Sequence, residues 1–426
     1  MDDIVLQTHD DMAREILRDN DRGGHTIPTS GLYPYQWNWD SVFVSLGLAE
    51  FDMNRAWREL ATLFEAQWPD GMLPHIVFRE DNPSYFPGPP VWQADNGPLS
   101  SSGITQPPVA ASAIVDLATR DPERARPFVR KLDAWHRWFH EARDPDGLGV
   151  IAITHPWESG RDNLPDWDAP GAAINVAGVG DYNRRDTDMV VADMRPGKED
   201  YDRYLALVRF GAKRKWNQKI ISAESPFFVA DPGTTAILLR SERDLASLGR
   251  LVDEPVCGVE DRIARLESGF DRFWNPEVEN YCAYDLRTGK HAAEATSAGF
   301  LALYAGVTKK TGELVRQLEE FDRSVEFMVP SFDPHSPLFD HRRYWRGPVW
   351  AHVNFMIARG LSDVGEVAWA NRLRSDTAAL IRNAGFTEYF SPLSGEGCGG
   401  GNFSWTAAVW LAWKLGEVEG FDRWAK

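Results

Sequence analysis

Apolar residues recur three and four positions apart along most of this chain, and that spacing commits it to helices. Trp57, Leu60, Ala61 and Phe64 stand at i, i+3, i+4 and i+7, which puts them on one side of a 3.6-residue turn. Phe128, Leu132, Trp135 and Phe139 keep the same rhythm. So do Val259, Ile263, Leu266 and Phe270, and then Trp369, Leu373 and Leu380. Further helices are expected near 8–19, 40–49, 105–119, 197–214, 233–247, 293–304, 309–321, 349–360 and 404–416, about a dozen in all. Asp121-Pro122-Glu123 reads as a helix start, with a capping Asp and a proline in the first turn. Strand-like alternation is nearly absent. Leu148-Gly149-Val150-Ile151-Ala152-Ile153 is the best short strand candidate.

Charge and cysteine content narrow the partners. The 426 residues carry 63 acidic and 46 basic side chains, a net charge of −17. Nucleic acid and anionic membranes are disfavoured as partners on that balance. An anionic small molecule would need a local cation. No apolar run reaches the roughly 18 residues that span a bilayer. The N-terminus, Met1-Asp2-Asp3-Ile4, is acidic where a secretion signal is basic. Cys257, Cys282 and Cys398 have no metal-ligand spacing, and three cannot all pair. These features point to a cytoplasmic protein, and a homo-oligomer stays open. His136 and His140 stand four apart with no glutamate between them, so a zinc-protease motif is not met. The glycines from 395 to 401 lack the Lys-Ser/Thr of a phosphate loop. No metal and no organic cofactor is expected.

Three long stretches break the helical pattern: 68–104, 154–196 and 386–403. Loops of that length inside a compact fold are usually functional or disordered. The second holds Asp162 in Trp157-Glu158-Ser159-Gly160-Arg161-Asp162-Asn163, and the third holds Glu388 in Phe386-Thr387-Glu388-Tyr389-Phe390. Two loop carboxylates flanked by aromatics suit the hydrolysis of a glycosidic bond. One protonates the leaving oxygen and the other activates water, while apolar surroundings raise the acid's pKa. The plainer reading is a helix cap or a salt-bridged loop residue for each. The charged 181–200 segment, with Arg184, Arg185 and several Asp, reads equally as a mobile surface loop. Trp37, Trp39, Trp92, Trp157, Trp345 and Trp405 lie beside Gly, Pro, Asn or Asp, where loops and helix ends occur. They suit either a sugar-binding rim or gap-filling between helices.

Four motifs in order carry a resemblance. They are Trp39-Asp40-Ser41, the run from Trp157 to Asn163, Tyr344-Trp345-Arg346-Gly347-Pro348-Val349-Trp350, and Glu388-Tyr389-Phe390 followed by Phe403-Ser404-Trp405-Thr406-Ala407-Ala408. Together they resemble glycoside hydrolase family 63 and its neighbours, in particular the bacterial mannosylglycerate and glucosylglycerate hydrolases. The resemblance runs from about residue 28 to 412. It implies an all-α, (α/α)6 barrel, a helical toroid formed by one catalytic domain over 1–426. Loop insertions near 68–104 and 154–196 would act as cleft walls or lids.

The resemblance also implies roles. Asp162 matches the family's general acid, with Leu164 departing from the small polar residue often found there. Glu388 matches the general base, with Glu396 as its rival. Trp39 and Asp40 look like the floor of the sugar subsite, although Asp40 also suits a helix start. Tyr33, Gln106, Arg203, Tyr344 and Trp345 fall on the positions of a glycerate pocket, with Tyr85 nearby. Arg203 is alternatively an ordinary partner of Glu199 on its helix. Trp157, Trp350 and Trp405 complete the aromatic lining, and Pro348 is expected in the first turn of the following helix. The implied activity is inverting hydrolysis of a small anionic α-glycoside, glucosylglycerate or mannosylglycerate, releasing hexose and glycerate. The alternatives are an α-glucosidase or trehalase-like enzyme for neutral disaccharides, a sugar epimerase or isomerase on a similar toroid, and an inactive sugar-binding protein.

Overall fold

The computed structural model describes residues 8–82 and 85–418. Twelve of its helices alternate in chain order between two packing environments. Six pack on one another in sequence: α2 (Asn38–Leu48), α4 (Ala110–Ala118), α7 (Pro232–Leu251), α9 (Ser297–Ala305), α11 (Ala351–Asp363) and α13 (Ser404–Ala412), with α13 packing back against α2. The other six lie outside them: α1 (His9–Asp19), α3 (Met53–Glu65), α5 (Pro122–Ala142), α8 (Val259–Gly269), α10 (Thr311–Asp322) and α12 (Val367–Ala384). Each outer helix packs on at least one inner neighbour. A further helix, α6 (Lys198–Lys213), follows the long 154–196 loop.

Residue pattern explains the two environments. Every residue of α9 is buried, and so is α13 from Ser404 to Leu411, as expected of helices enclosed on all sides. The outer α3 buries only one face, through Ala56, Trp57, Glu59, Leu60, Leu63 and Phe64. Small residues set the closest approaches. A Cβ added to Gly47 on α2 would stand 2.4 Å from the Cα of Ala408 on α13, so a side chain there would force these helices apart.

Proline marks two of the helix starts, while the capping bond expected of the Asp121 side chain is not formed. Pro122 opens α5 and Pro232 opens α7, where a missing N–H costs nothing. The Asp231 carboxylate accepts from the N–H groups of Gly233 and Thr234 at 3.1 and 3.0 Å, which caps α7. Several expected boundaries shift: the helix expected at 293–304 runs Ser297–Ala305, that at 233–247 extends to Leu251, and that at 404–416 ends at Ala412. The helix expected from 105 begins at Ala110, because Pro107 and Pro108 hold the preceding chain extended. Pro348 is not in the first turn of α11, which starts at Ala351 with Trp350 at its N-cap.

Strands are short. The expected 148–153 strand is realised only at Ala152–Ile153, at the edge of an antiparallel sheet with Val229–Ala230, Tyr284–Asp285 and Lys290–His291. No helix among the described residues is long and apolar enough to cross a membrane. His136 and His140 on α5 face the Glu242 carboxylate of α7 at 3.3 and 3.1 Å, and the Arg262 guanidinium holds the same carboxylate.

Candidate active site

The loop bearing Asp162 is anchored on both sides of that residue. Before it, the buried Glu158 carboxylate accepts from Arg143 at 2.6 and 3.1 Å and from the Thr154 N–H at 2.7 Å. Next to it, the buried Arg161 guanidinium donates to Asp231 at 2.6 Å, the residue that caps α7. Gly160 turns the chain with φ +69°, and a Cβ there would meet the Trp39 ring at 2.5 Å. Only glycine takes that conformation freely and leaves room for the indole. The Tyr204 hydroxyl fixes the Asp162 carbonyl at 2.9 Å.

Glu388 is held from the opposite side. It immediately precedes the Tyr389–Phe390 strand, which pairs antiparallel with Gly397–Cys398. The glycine-rich connection folds back over its side chain. The Gly400 N–H donates to the carboxylate at 3.1 Å, and a Cβ on Gly399 would lie 2.3 Å from Glu388 Oε2. The Tyr33 hydroxyl donates to Oε1 at 2.9 Å, and Arg195 Nη1 lies 3.4 Å from Oε2. The rival Glu396 lies exposed on the surface, paired with Arg342 at 3.1 Å.

Both carboxylates open into one cavity of about 900 Å³, including the space at its mouth. Of the residues singled out in the sequence, Tyr33, Trp39, Asp40, Tyr85, Gln106, Trp157, Tyr344 and Trp405 line it with them. Segments that immediately precede or begin the inner helices α2, α4 and α13 line part of it, and residues of the 68–104, 154–196 and 386–403 stretches line most of the rest. The Gln106 carbonyl oxygen accepts from the Trp39 N–H at 3.1 Å, which fixes the orientation of the amide. Trp345 and Trp350 do not reach the cavity. They stack on each other at 3.8 Å behind it, with Trp345 against Trp39 and Trp350 against Tyr389.

Arg203 is also off this wall. It lines a small recess behind Asp162 and pairs along its own helix with Asp200 at 3.5 Å and Glu199 at 3.8 Å. The buried cation of the cavity is Arg195, only 6% exposed. Its guanidinium donates to the Tyr33 hydroxyl at 2.7 Å, pairs with Asp186 at 3.2 Å and stands 4.2 Å from the Tyr344 ring centre. Trp37, one of the tryptophans suited to a rim, and Arg185, from the charged 181–200 segment, also line the cavity, as do Asp186 and His75, which no local pattern marks. Arg195 sits in the charged 181–200 stretch that reads as surface loop, and its neighbours give no local signal that one arginine of the run turns inward.

Burial sets the proton affinities. It pushes Asp162 up to about 7, with Arg195 pulling the other way and Glu388 adding to the rise. Burial likewise raises Glu388, against the pull of Arg195 and the hydrogen bonds from Gly400 and Tyr33. Asp40 is driven well above the carboxylate range by burial, with smaller contributions from Glu388 and Asp162. A cavity in which one carboxyl keeps its proton near neutrality, while another faces a guanidinium, is equipped to give a proton at one point and take one at another.

A sequence profile for the mannosylglycerate hydrolase MGH1-like glycoside hydrolase domain matches residues 33–406. The chain is 46% identical over 411 residues to a mannosylglycerate hydrolase of Thermus thermophilus, covering 94% of this chain and 99% of that one. It is 34% identical over 430 residues to a glucosylglycerate hydrolase of Mycolicibacterium hassiacum, covering 94% and 96%. The crystal structure of a glycoside hydrolase family 63 mannosylglycerate hydrolase from Thermus thermophilus, in complex with Tris and D-glycerate, superposes with a TM-score of 0.93 at 46% identity. That match covers 96% of this chain and 100% of the other. The chain therefore belongs to the mannosylglycerate hydrolase MGH1-like family of glycoside hydrolases.

Proposed function

We propose that this enzyme hydrolyses mannosylglycerate or glucosylglycerate to hexose and glycerate, with inversion at the anomeric carbon. The observation that carries the reading is a buried arginine, Arg195, in the same cavity as Asp162 and Glu388. A neutral aglycone has no need of a buried cation; a glycerate carboxylate does. Asp162 donates its proton to the glycosidic oxygen as the C–O bond breaks. Glu388 takes a proton from the water that attacks the opposite face of the anomeric carbon. Water then restores both carboxyls to their starting states. Asp40 and Trp39 form the floor under the hexose, Trp405 and Trp157 its apolar walls. Tyr33, Tyr85, Gln106 and Tyr344 orient the glycerate beside Arg195. Trp345 and Trp350 support the floor from behind.

Supporting the site, we read the fold as a single-domain (α/α)6 barrel. Six inner helices in cyclic contact and six outer ones alternating with them in chain order favour that architecture. The three cysteines are all free, which suits a reducing, cytoplasmic setting. The test is release of hexose from mannosylglycerate, glucosylglycerate, trehalose, kojibiose and nigerose under identical conditions. Turnover should be confined largely to the two glycerate glycosides. Faster turnover of a neutral disaccharide would overturn the aglycone assignment.

A further inference from the structure

An anionic substrate must approach a protein whose net charge is −17. Arg195 acts only at contact distance, because it is buried and already engaged by Asp186, Glu388 and Tyr33. Arg185 differs. It lines the same cavity but lies exposed, and its side chain makes no ion pair or hydrogen bond among the described residues. The adjacent Arg184 is already paired, donating to both oxygens of Asp186 at 3.0 and 2.6 Å.

We propose that Arg185 is an outer cation that draws the substrate's carboxylate to the cavity mouth before Arg195 binds it. This rests on the glycosylglycerate reading above. The role requires only a positive charge, so it sets no demand on the shape of the side chain. Arg195 contrasts with it, meeting a tyrosine hydroxyl and two carboxylates at fixed positions at once. An unpaired guanidinium near a charged ligand in water contributes by Coulomb attraction that salt removes, and such fields raise capture of a charged substrate.

The experiment is the ionic-strength dependence of kcat/KM for mannosylglycerate, in the wild type and in R185A, R185K and R185E. At about 10 mM salt, where the Debye length is roughly 30 Å, R185A should lose about fivefold in kcat/KM, carried by KM rather than kcat. R185E should lose more, and R185K should recover to within about twofold of the wild type. At about 1 M salt, where the Debye length is roughly 3 Å, the R185A deficit should fall below about twofold. A deficit of equal size at both ionic strengths, a loss carried by kcat, or an R185K variant as weak as R185A would overturn the proposal. If the wild type hydrolysed neither glycerate glycoside, the functional reading would fall and this inference with it. Wild-type turnover with a salt-independent R185A deficit sinks the inference alone.

Discussion

Asp162→Asn and Glu388→Gln should each lower kcat on mannosylglycerate or glucosylglycerate by about 10²–10⁴-fold with the fold intact, because each removes one partner in proton transfer. The two losses differ in kind. An aryl α-glycoside with a strongly acidic leaving group needs no proton from the enzyme, so Asp162→Asn should recover most of its rate on that substrate and Glu388→Gln should not. Equal losses on both substrates would dissolve the assignment of acid and base. The pH profile of kcat/KM follows from the same two groups. Activity should fall above about pH 7 as Asp162 loses its proton. It should fall on the acid side as Glu388 gains one, at a pH above the ordinary glutamate value because burial raises it. Asp162 also bears on stability. Its folded pKa is raised, so the stabilising proton is fully held below the unfolded value of about 3.9 and is lost as pH climbs through about 7. Asp162→Asn should therefore melt higher than the wild type at pH 8, with the gap closing toward pH 4. A gap of the same size at both pH values would contradict burial of the ionised carboxylate.

Arg195→Ala should raise KM for the glycerate glycosides by about 10- to 100-fold, since a charge-assisted hydrogen bond is worth roughly 1.5–3 kcal/mol. A second effect accompanies it. Arg195 lowers the pKa of both Asp162 and Glu388, so its removal should move both limbs of the pH profile upward. Arg195→Lys should restore little, because one ammonium cannot meet Tyr33, Glu388 and Asp186 together. Arg203→Ala should change KM by less than about threefold, the scale of losing surface pairs such as those it makes with Asp200 and Glu199. A larger KM effect from Arg203 than from Arg195 would return the glycerate site to the helix.

The helices were legible because their signal is periodic and local. The three-and-four spacing of Phe128, Leu132, Trp135 and Phe139 needs no tertiary context, and all four are buried in α5. Boundaries shift where proline outweighs the periodicity, as at Pro107-Pro108 before α4, and at α11, whose first turn begins beyond Pro348. Asp162 and Glu388 stand out because glycine and aromatic residues cluster around them, and the fold brings both to one cavity. That Arg195 lines the cavity and Arg203 does not has a different cause. Which arginine of a charged loop turns inward depends on Tyr33 and Glu388, residues 162 and 193 positions away. No local pattern encodes such a pairing. Trp345 and Trp350 illustrate the same limit. Their motif places them near the site, but only packing decides that their rings stack behind the wall.

Proton NMR of the hexose in the first moments of mannosylglycerate hydrolysis tests the central claim most directly. Attack by water on the face opposite the departing glycerate produces the β-anomer first, with the α-anomer growing in only as the free sugar mutarotates. That order is the expected result. An initial α-anomer, or a trapped covalent glycosyl-enzyme, would contradict a mechanism in which Asp162 and Glu388 act as acid and base across a single displacement.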